Sequence, residues 1–106
     1  MITKGRIEEL LKFKINNIQL YYNAFVHKSA VRDTGCVSNE RLEFVGDSVL
    51  SLIVANYLYN KYPDENEGFL TRVRTKIVSG SNLANISLKL GLHNYVLMNE
   101  KAMNNE

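Results

Sequence analysis

The chain has 106 residues, enough for one domain with a real core and too few for a second module. Apolar residues make up 45% of it, and a single Pro with six Gly excludes a disordered or collagen-like chain. The net charge of +2 is too mild to mark a dedicated nucleic-acid binder by charge alone.

The pattern is helical nearly throughout. Ile7, Leu10, Leu11 and Ile15 recur at helical spacing, and Leu20, Ala24 and Phe25 predict a second short helix ending near His27 to Ala30. Residues 32–38 (RDTGCVS) read as a loop punctuated by Gly35. Asn39 is a good N-cap for a long helix that runs to about Tyr62, where Pro63 stops it. Asp64 to Asn66 is a polar turn. Further helices fit Glu67 to Val78 and Ser81 to Leu90, the latter with Gly91 as its C-cap. No strand alternation persists, so the expected class is all-α.

Other classes drop out on simple grounds. No apolar run approaches the ~20 residues of a bilayer span; the longest, Ser48 to Tyr59, is broken by Ser51 and Asn56. Lys4, Arg6, Glu8 and Glu9 make the N-terminus unlike a signal peptide. Cys36 is alone, which leaves no internal disulfide and no Cys/His zinc cluster. The expectation is a soluble protein of a reducing compartment, cytoplasmic or, in a eukaryote, nuclear, neither secreted nor membrane-bound. A di-iron bundle would need Glu-x-x-His pairs, and there are none. A calcium loop at Asp64 to Gly68 fails because its Gly falls one residue early and no Glu sits at the twelfth position.

Projected at about 100° per residue, Glu40, Glu43 and Asp47 fall within about 60° of each other on the long helix. Leu42, Val45, Val49, Leu50, Leu52, Ile53 and Val54 occupy nearly every other direction, the signature of a buried helix. Like charges at i,i+3 and i,i+4 repel, and partial burial sharpens the cost unless a cation neutralises them. A hard divalent ion such as Mg²⁺ suits such oxygens. Glu43 and Asp47 lie one turn apart, about 6 Å of rise, and can reach one ion; Glu40 is almost another turn away. Spacing alone leaves two readings open, an ion site and a solvated stripe favoured by the helix dipole. Gly46 favours the first class of explanation, since a mid-helix glycine costs roughly 1 kcal/mol and suggests close packing on the backbone. Phe44 projects beside the acidic stripe, a placement that fits either core packing, the commoner case, or an interface.

Residues 40–50, ERLEFVGDSVL, resemble the signature of the ribonuclease III family, usually ERLEFLGDAVL, with Val45 and Ser48 as the only departures. The segment AFVHKS from Ala24 to Ser29 is similar to an upstream A-L-T-H-x-S element. Tyr62-Pro63 with Glu67 to Thr71 resembles a YP…EG.LT element, and Leu83, Ala84 and Leu90 to Leu92 match later helix positions. The resemblance covers roughly residues 20–98. It implies a helical endonuclease-domain bundle acting as a homodimer on double-stranded RNA. The implied reaction uses Mg²⁺, with Mn²⁺ as a substitute, and leaves 5′-phosphate and 3′-hydroxyl ends. By position, Glu43 and Asp47 would be metal ligands, with Glu40 and Glu67 as outer carboxylates of the catalytic valley. Phe44 would be a knob inserting into the partner subunit, with Gly46 beside it at the dimer interface. His27 fits a structural role better than a catalytic one, and His93 carries no signal beyond a loop position. Arg72 and Lys76 share a helix face as a weak RNA contact, with surface solubility as the plain alternative, while Arg74 points elsewhere.

One departure matters. The family completes its metal site with a second acidic motif, D-x-x-E within an A-D-x-x-E-A helix, beyond the point at which this sequence stops. Glu100 and Glu106 do not fall in such a pattern, and no Asp follows Asp64. The expectation is therefore a ribonuclease III catalytic domain over residues 1–106 that is C-terminally incomplete, lacks its last helix and carries no double-stranded-RNA-binding domain. The competing reading is a non-catalytic ribonuclease III-like module for dimerisation or RNA scaffolding. Retention of Glu40, Glu43, Asp47 and Glu67 speaks against it.

Overall fold

A computed structural model describes residues 2–99. These divide into two compact units, one from the chain up to Glu43 together with the stretch from His93 onward, the other from Phe44 to Leu92. Both are helical, and no strand occurs among the described residues beyond an isolated parallel bridge between Val26 and Leu97.

In the first unit, helix α1 spans Lys4–Leu11 because Thr3 caps it, its Oγ1 accepting the Arg6 N–H at 3.1 Å. It stops at Lys12, which takes a left-handed φ of 63° and returns its N–H to the Glu8 carbonyl. Ile15 thus lies outside the helix whose stripe it seemed to extend. It reaches the core by another route, its N–H bonded to Glu8 Oε2 at 2.9 Å. Ile2, Ile7 and Ile15 form the buried centre, with Leu10, Ile18, Tyr21, Tyr22, Phe25 and Tyr95 packed around it. Helix α2 is Ile18–Ala24. The chain then extends through fully buried Val26, where Leu97 N–H donates to the Phe25 carbonyl and His27 N–H to the Leu97 carbonyl, both at 2.8 Å. Phe25 meets Tyr95 edge to face at 6.3 Å.

Two boundaries differ from the sequence expectation here. The short helix ends at Ala24, followed by a separate 3-10 turn, Lys28–Ala30. Part of the expected loop is one helical turn, α3 (Val31–Thr34), closed by Gly35 at φ 68°. Thr34 Oγ1 donates back to the Ala30 carbonyl at 2.6 Å and supports that turn.

Helix α4 spans Glu40–Lys61 and its residues from Phe44 onward open the second unit. Lys61 donates to the Tyr57 hydroxyl at 3.1 Å and lies over the Tyr57 and Tyr62 rings, and that hydroxyl holds its ammonium pKa above the ordinary value. Tyr62 packs edge to face on Phe69 at 5.3 Å across the turn. Helix α5, Glu67–Ile77, is capped by Asn66, whose Oδ1 accepts the Phe69 N–H at 2.9 Å. Helix α6, Gly80–Leu90, is capped by Ser79 and ended by Gly91 at φ 75°, a conformation open to glycine at little cost. The Asn82 side chain ties the two together by donating to the Ile77 carbonyl at 2.6 Å.

The expectation of a buried α4 is overturned. Only Val54 and Leu58 are buried on it, while Phe44 is 80% exposed, Leu52 70% and Ile53 59%. An all-round apolar helix requires a cover, and the described residues of this chain do not supply one. Nor is α4 too short or too interrupted to pass for a membrane span, as its apolar run suggested. Glu40–Lys61 has the length and a mean hydropathy of 1.2, which meet the bare criteria for a bilayer-crossing helix.

Candidate functional site

The acidic row begins where two neighbouring residues divide the work of starting α4. Ser38 Oγ accepts the Glu40 N–H at 3.4 Å and donates to Glu40 Oε1 at 3.1 Å. Asn39 stands at the cap position, yet its side chain does not cap. Its Nδ2 donates away from the helix to the Ala24 carbonyl at 3.2 Å. The Asn39 carbonyl accepts the Glu43 N–H at 2.8 Å, the first bond of the helix ladder. The helix thus starts where Asn39 predicts, but the side chain bonded to its first N–H is that of Ser38 rather than of Asn39.

Glu40, Glu43 and Asp47 are all exposed. The Glu40 carboxylate is held by Ser38, whereas those of Glu43 and Asp47 have no hydrogen-bond or ion-pair partner among the described residues. Successive turns of one helix therefore present two unneutralised carboxylates to solvent. The repulsion between them is that of an exposed helix, a few tenths of a kcal/mol, rather than the larger cost expected for a buried one. Glu43 also borders a cavity of about 200 Å³ with Ala24, Asn39 and Leu42.

Glu67 opens α5, exposed, on a groove of about 570 Å³ whose apolar lining includes Leu52, Leu58 and Leu70, with Arg74 on the same wall. Arg72 and Lys76 are exposed on α5 away from that groove, as the helical projection predicts. Arg72 folds back along the first turn, its Nη1 lying 3.4 Å from where a Cβ on Gly68 would stand. No group of three or more His, Cys, Asp or Glu side chains that could hold a metal occurs among the described residues. Glu100 and Glu106 lie outside them.

His27 is engaged in local hydrogen bonds, as a structural role requires. Its Nδ1 accepts the Ser29 N–H at 3.1 Å and lies 2.8 Å from Ser29 Oγ, which in turn accepts the Asn99 N–H at 3.0 Å. His93 is exposed in the 3-10 turn Leu92–Tyr95.

Gly46 has nothing within 4 Å of the position a Cβ would take. The close packing that its presence suggested is thus not met within the described chain. Gly46→Ala should accordingly stabilise the isolated chain by about 1 kcal/mol, a rise of roughly 4 °C or more in melting temperature. A calorimetric melt at low protein concentration measures it, and a loss of stability would show that the backbone there is already covered.

Residues 40–106 match the family described as Ribonuclease III domain. A protein of Paramecium bursaria Chlorella virus 1 is 48% identical over 103 residues, which cover 97% of this chain and 37% of that one. Ribonuclease 3 of Chlorobium luteolum is 43% identical over 100 residues, 91% of this chain and 36% of its own. The nuclease domain of ribonuclease III from Campylobacter jejuni, a structure described for flexibility in a region involved in dimer formation, superposes with a TM-score of 0.86 at 34% identity. That alignment covers 97% of this chain and 70% of the Campylobacter one. The chain spans under two fifths of the length of the two curated relatives.

Proposed function

The chain belongs to the ribonuclease III family, with the all-α fold of its nuclease domain, and from this we propose that it is the metal-dependent catalytic domain of an endoribonuclease acting on double-stranded RNA. The observation that carries the reading is the pair of exposed, unpartnered carboxylates of Glu43 and Asp47 on successive turns of α4, inside the family signature. Their chemistry suits a hard divalent cation, Mg²⁺ with Mn²⁺ as substitute, which takes one or two protein carboxylates and fills its remaining positions with water and phosphate oxygens. Such an ion, when bound, supplies an acidified water and charge stabilisation at the scissile phosphate.

Everything else falls to the chain. Glu43 and Asp47 hold the ion, and Glu40, restrained by Ser38, serves as an outer carboxylate together with Glu67. Arg72 and Lys76 meet phosphates across the shallow minor groove of A-form RNA, a contact that carries little sequence information and weakens with salt. Phe44 and Gly46 belong to a homodimer interface that covers the apolar side of α4. The products are 5′-phosphate and 3′-hydroxyl ends, and the working compartment is the cytoplasm, or the nucleus in a eukaryote, with no membrane partner.

The absence of a third convergent ligand among the described residues favours the second reading, a non-catalytic dimerisation or scaffold module. One experiment separates the two. The chain is joined to the portion of the Campylobacter nuclease domain that it does not cover and given long double-stranded RNA with Mg²⁺. Chelator-sensitive cleavage is expected, and far weaker cleavage from the chain alone, where two carboxylates stand without further ligands. A joined protein that folds and binds RNA but does not cut would establish the scaffold.

A further inference from the structure

The acid of the first turn of α4 can serve an ion only if that turn is fixed, and the fixing runs through one side chain. We infer that Asn39 is a positioning residue for Glu43, an inference that rests on the metal-site reading above. Asn39 makes three bonds in two directions. Its backbone N–H donates to the Val26 carbonyl at 2.8 Å and its Nδ2 to the Ala24 carbonyl at 3.2 Å, while its own carbonyl receives the Glu43 N–H at 2.8 Å. The start of the helix is thereby pinned at two points to the segment 24–26, which runs from the last residue of α2 to the bridge residue Val26, and Glu43 hangs from the pinned residue by one bond.

The post itself is rigid. Val26 is fully buried, and the carbonyl of Phe25 and the N–H of His27 both pair with Leu97. Asn39 and Glu43 border one cavity with Ala24 and Leu42, and the bond from the Glu43 N–H to the Asn39 carbonyl is what carries a shift of Asn39 to Glu43. The residue type follows from the geometry. A short side chain must donate outward while the backbone on both sides of it stays engaged. Asp has the shape without the donor, and Ala has neither. Ser38, by taking over the capping bond and holding Glu40, releases Asn39 for this task.

The test uses the 106-residue chain with Mn²⁺ as probe, read by paramagnetic broadening of the Glu43 and Asp47 amide signals and, separately, by thermal melting. Asn39→Ala should weaken Mn²⁺ binding about tenfold, the scale on which lost supporting bonds act on metal ligands. Ile7→Val, which loosens the same unit's core away from α4, should lower the melting temperature and leave Mn²⁺ affinity unmoved. An Asn39→Ala chain that melts lower but binds Mn²⁺ as the parent does overturns the inference. Should that variant not fold, Asn39→Gln, with the donor on a longer arm, decides the matter: weakened binding supports the assignment and parental binding overturns it. A parent chain showing no broadening at either acid overturns Asn39's role together with the claim that Glu43 and Asp47 suffice to hold the ion, whereas parental binding with unmoved variants sinks the role of Asn39 alone.

Discussion

Asp47→Asn in the joined protein is expected to abolish Mg²⁺-dependent cleavage while double-stranded RNA binding survives. The side chain is exposed and makes no bond with a described residue, so the isosteric amide removes charge and little else. Folding should be unaffected or slightly favoured, because the change relieves i,i+4 repulsion with Glu43 worth a few tenths of a kcal/mol. Cleavage should fall by a factor of about a thousand or more, the equivalent of losing several kcal/mol of charge stabilisation at the phosphate. Single-turnover cleavage of end-labelled RNA and filter binding read the two quantities independently. Lost binding with cleavage intact would remove Asp47 from the metal site.

Phe44→Ala carries the second large effect, on assembly rather than chemistry. A phenylalanine 80% exposed contributes almost nothing to the core of its own chain, and alanine is the better helix former. The isolated subunit should therefore melt no lower. As a knob seated in a partner, however, each ring is worth about 2–4 kcal/mol and a two-fold dimer loses two, so the dimer dissociation constant should rise by about a thousandfold or more. Sedimentation equilibrium over a concentration series measures it. Unchanged association, or a parent chain monomeric at high concentration, would remove Phe44 from the interface.

Helix positions were legible because the punctuation is local. Pro63 and Gly91 act within a turn of where they stand and close their helices as read, and the polar turn ending at Asn66 supplies the cap of α5, whereas the Ser79 cap one residue before Gly80 was not read. Lys12 defeated the pattern because a left-handed turn on a non-glycine residue has no sequence signal, and Ile15 continued the apolar stripe after the helix had ended. The burial of α4 was misread for a different reason. Apolar periodicity states that a face needs a cover without stating that its own chain provides it. The acidic row was legible as spacing on one helix, since i,i+3 and i,i+4 neighbours follow from helix geometry alone. The bonds of Ser38 and Asn39 were not, because they depend on which carbonyl of a distant segment comes to lie beside them. A good N-cap residue and a good docking residue look alike in a sequence.

The pairing of Val26 with Leu97 also sets an order of events. The unit from Phe44 to Leu92 is one continuous stretch of chain, whose helices find one another over short sequence separations. The other unit is closed by residues at opposite ends, and its bridge joins positions separated by most of the chain's length. During synthesis the segment 24–26 lacks its bonds to Leu97 until that residue has left the ribosome, and closing so long a loop is the slower step in any case. The post to which Asn39 is pinned is thus completed late. The acids of α4 are made early, on a helix that local forces can build, and are set in place only when the chain's far end returns to hold them.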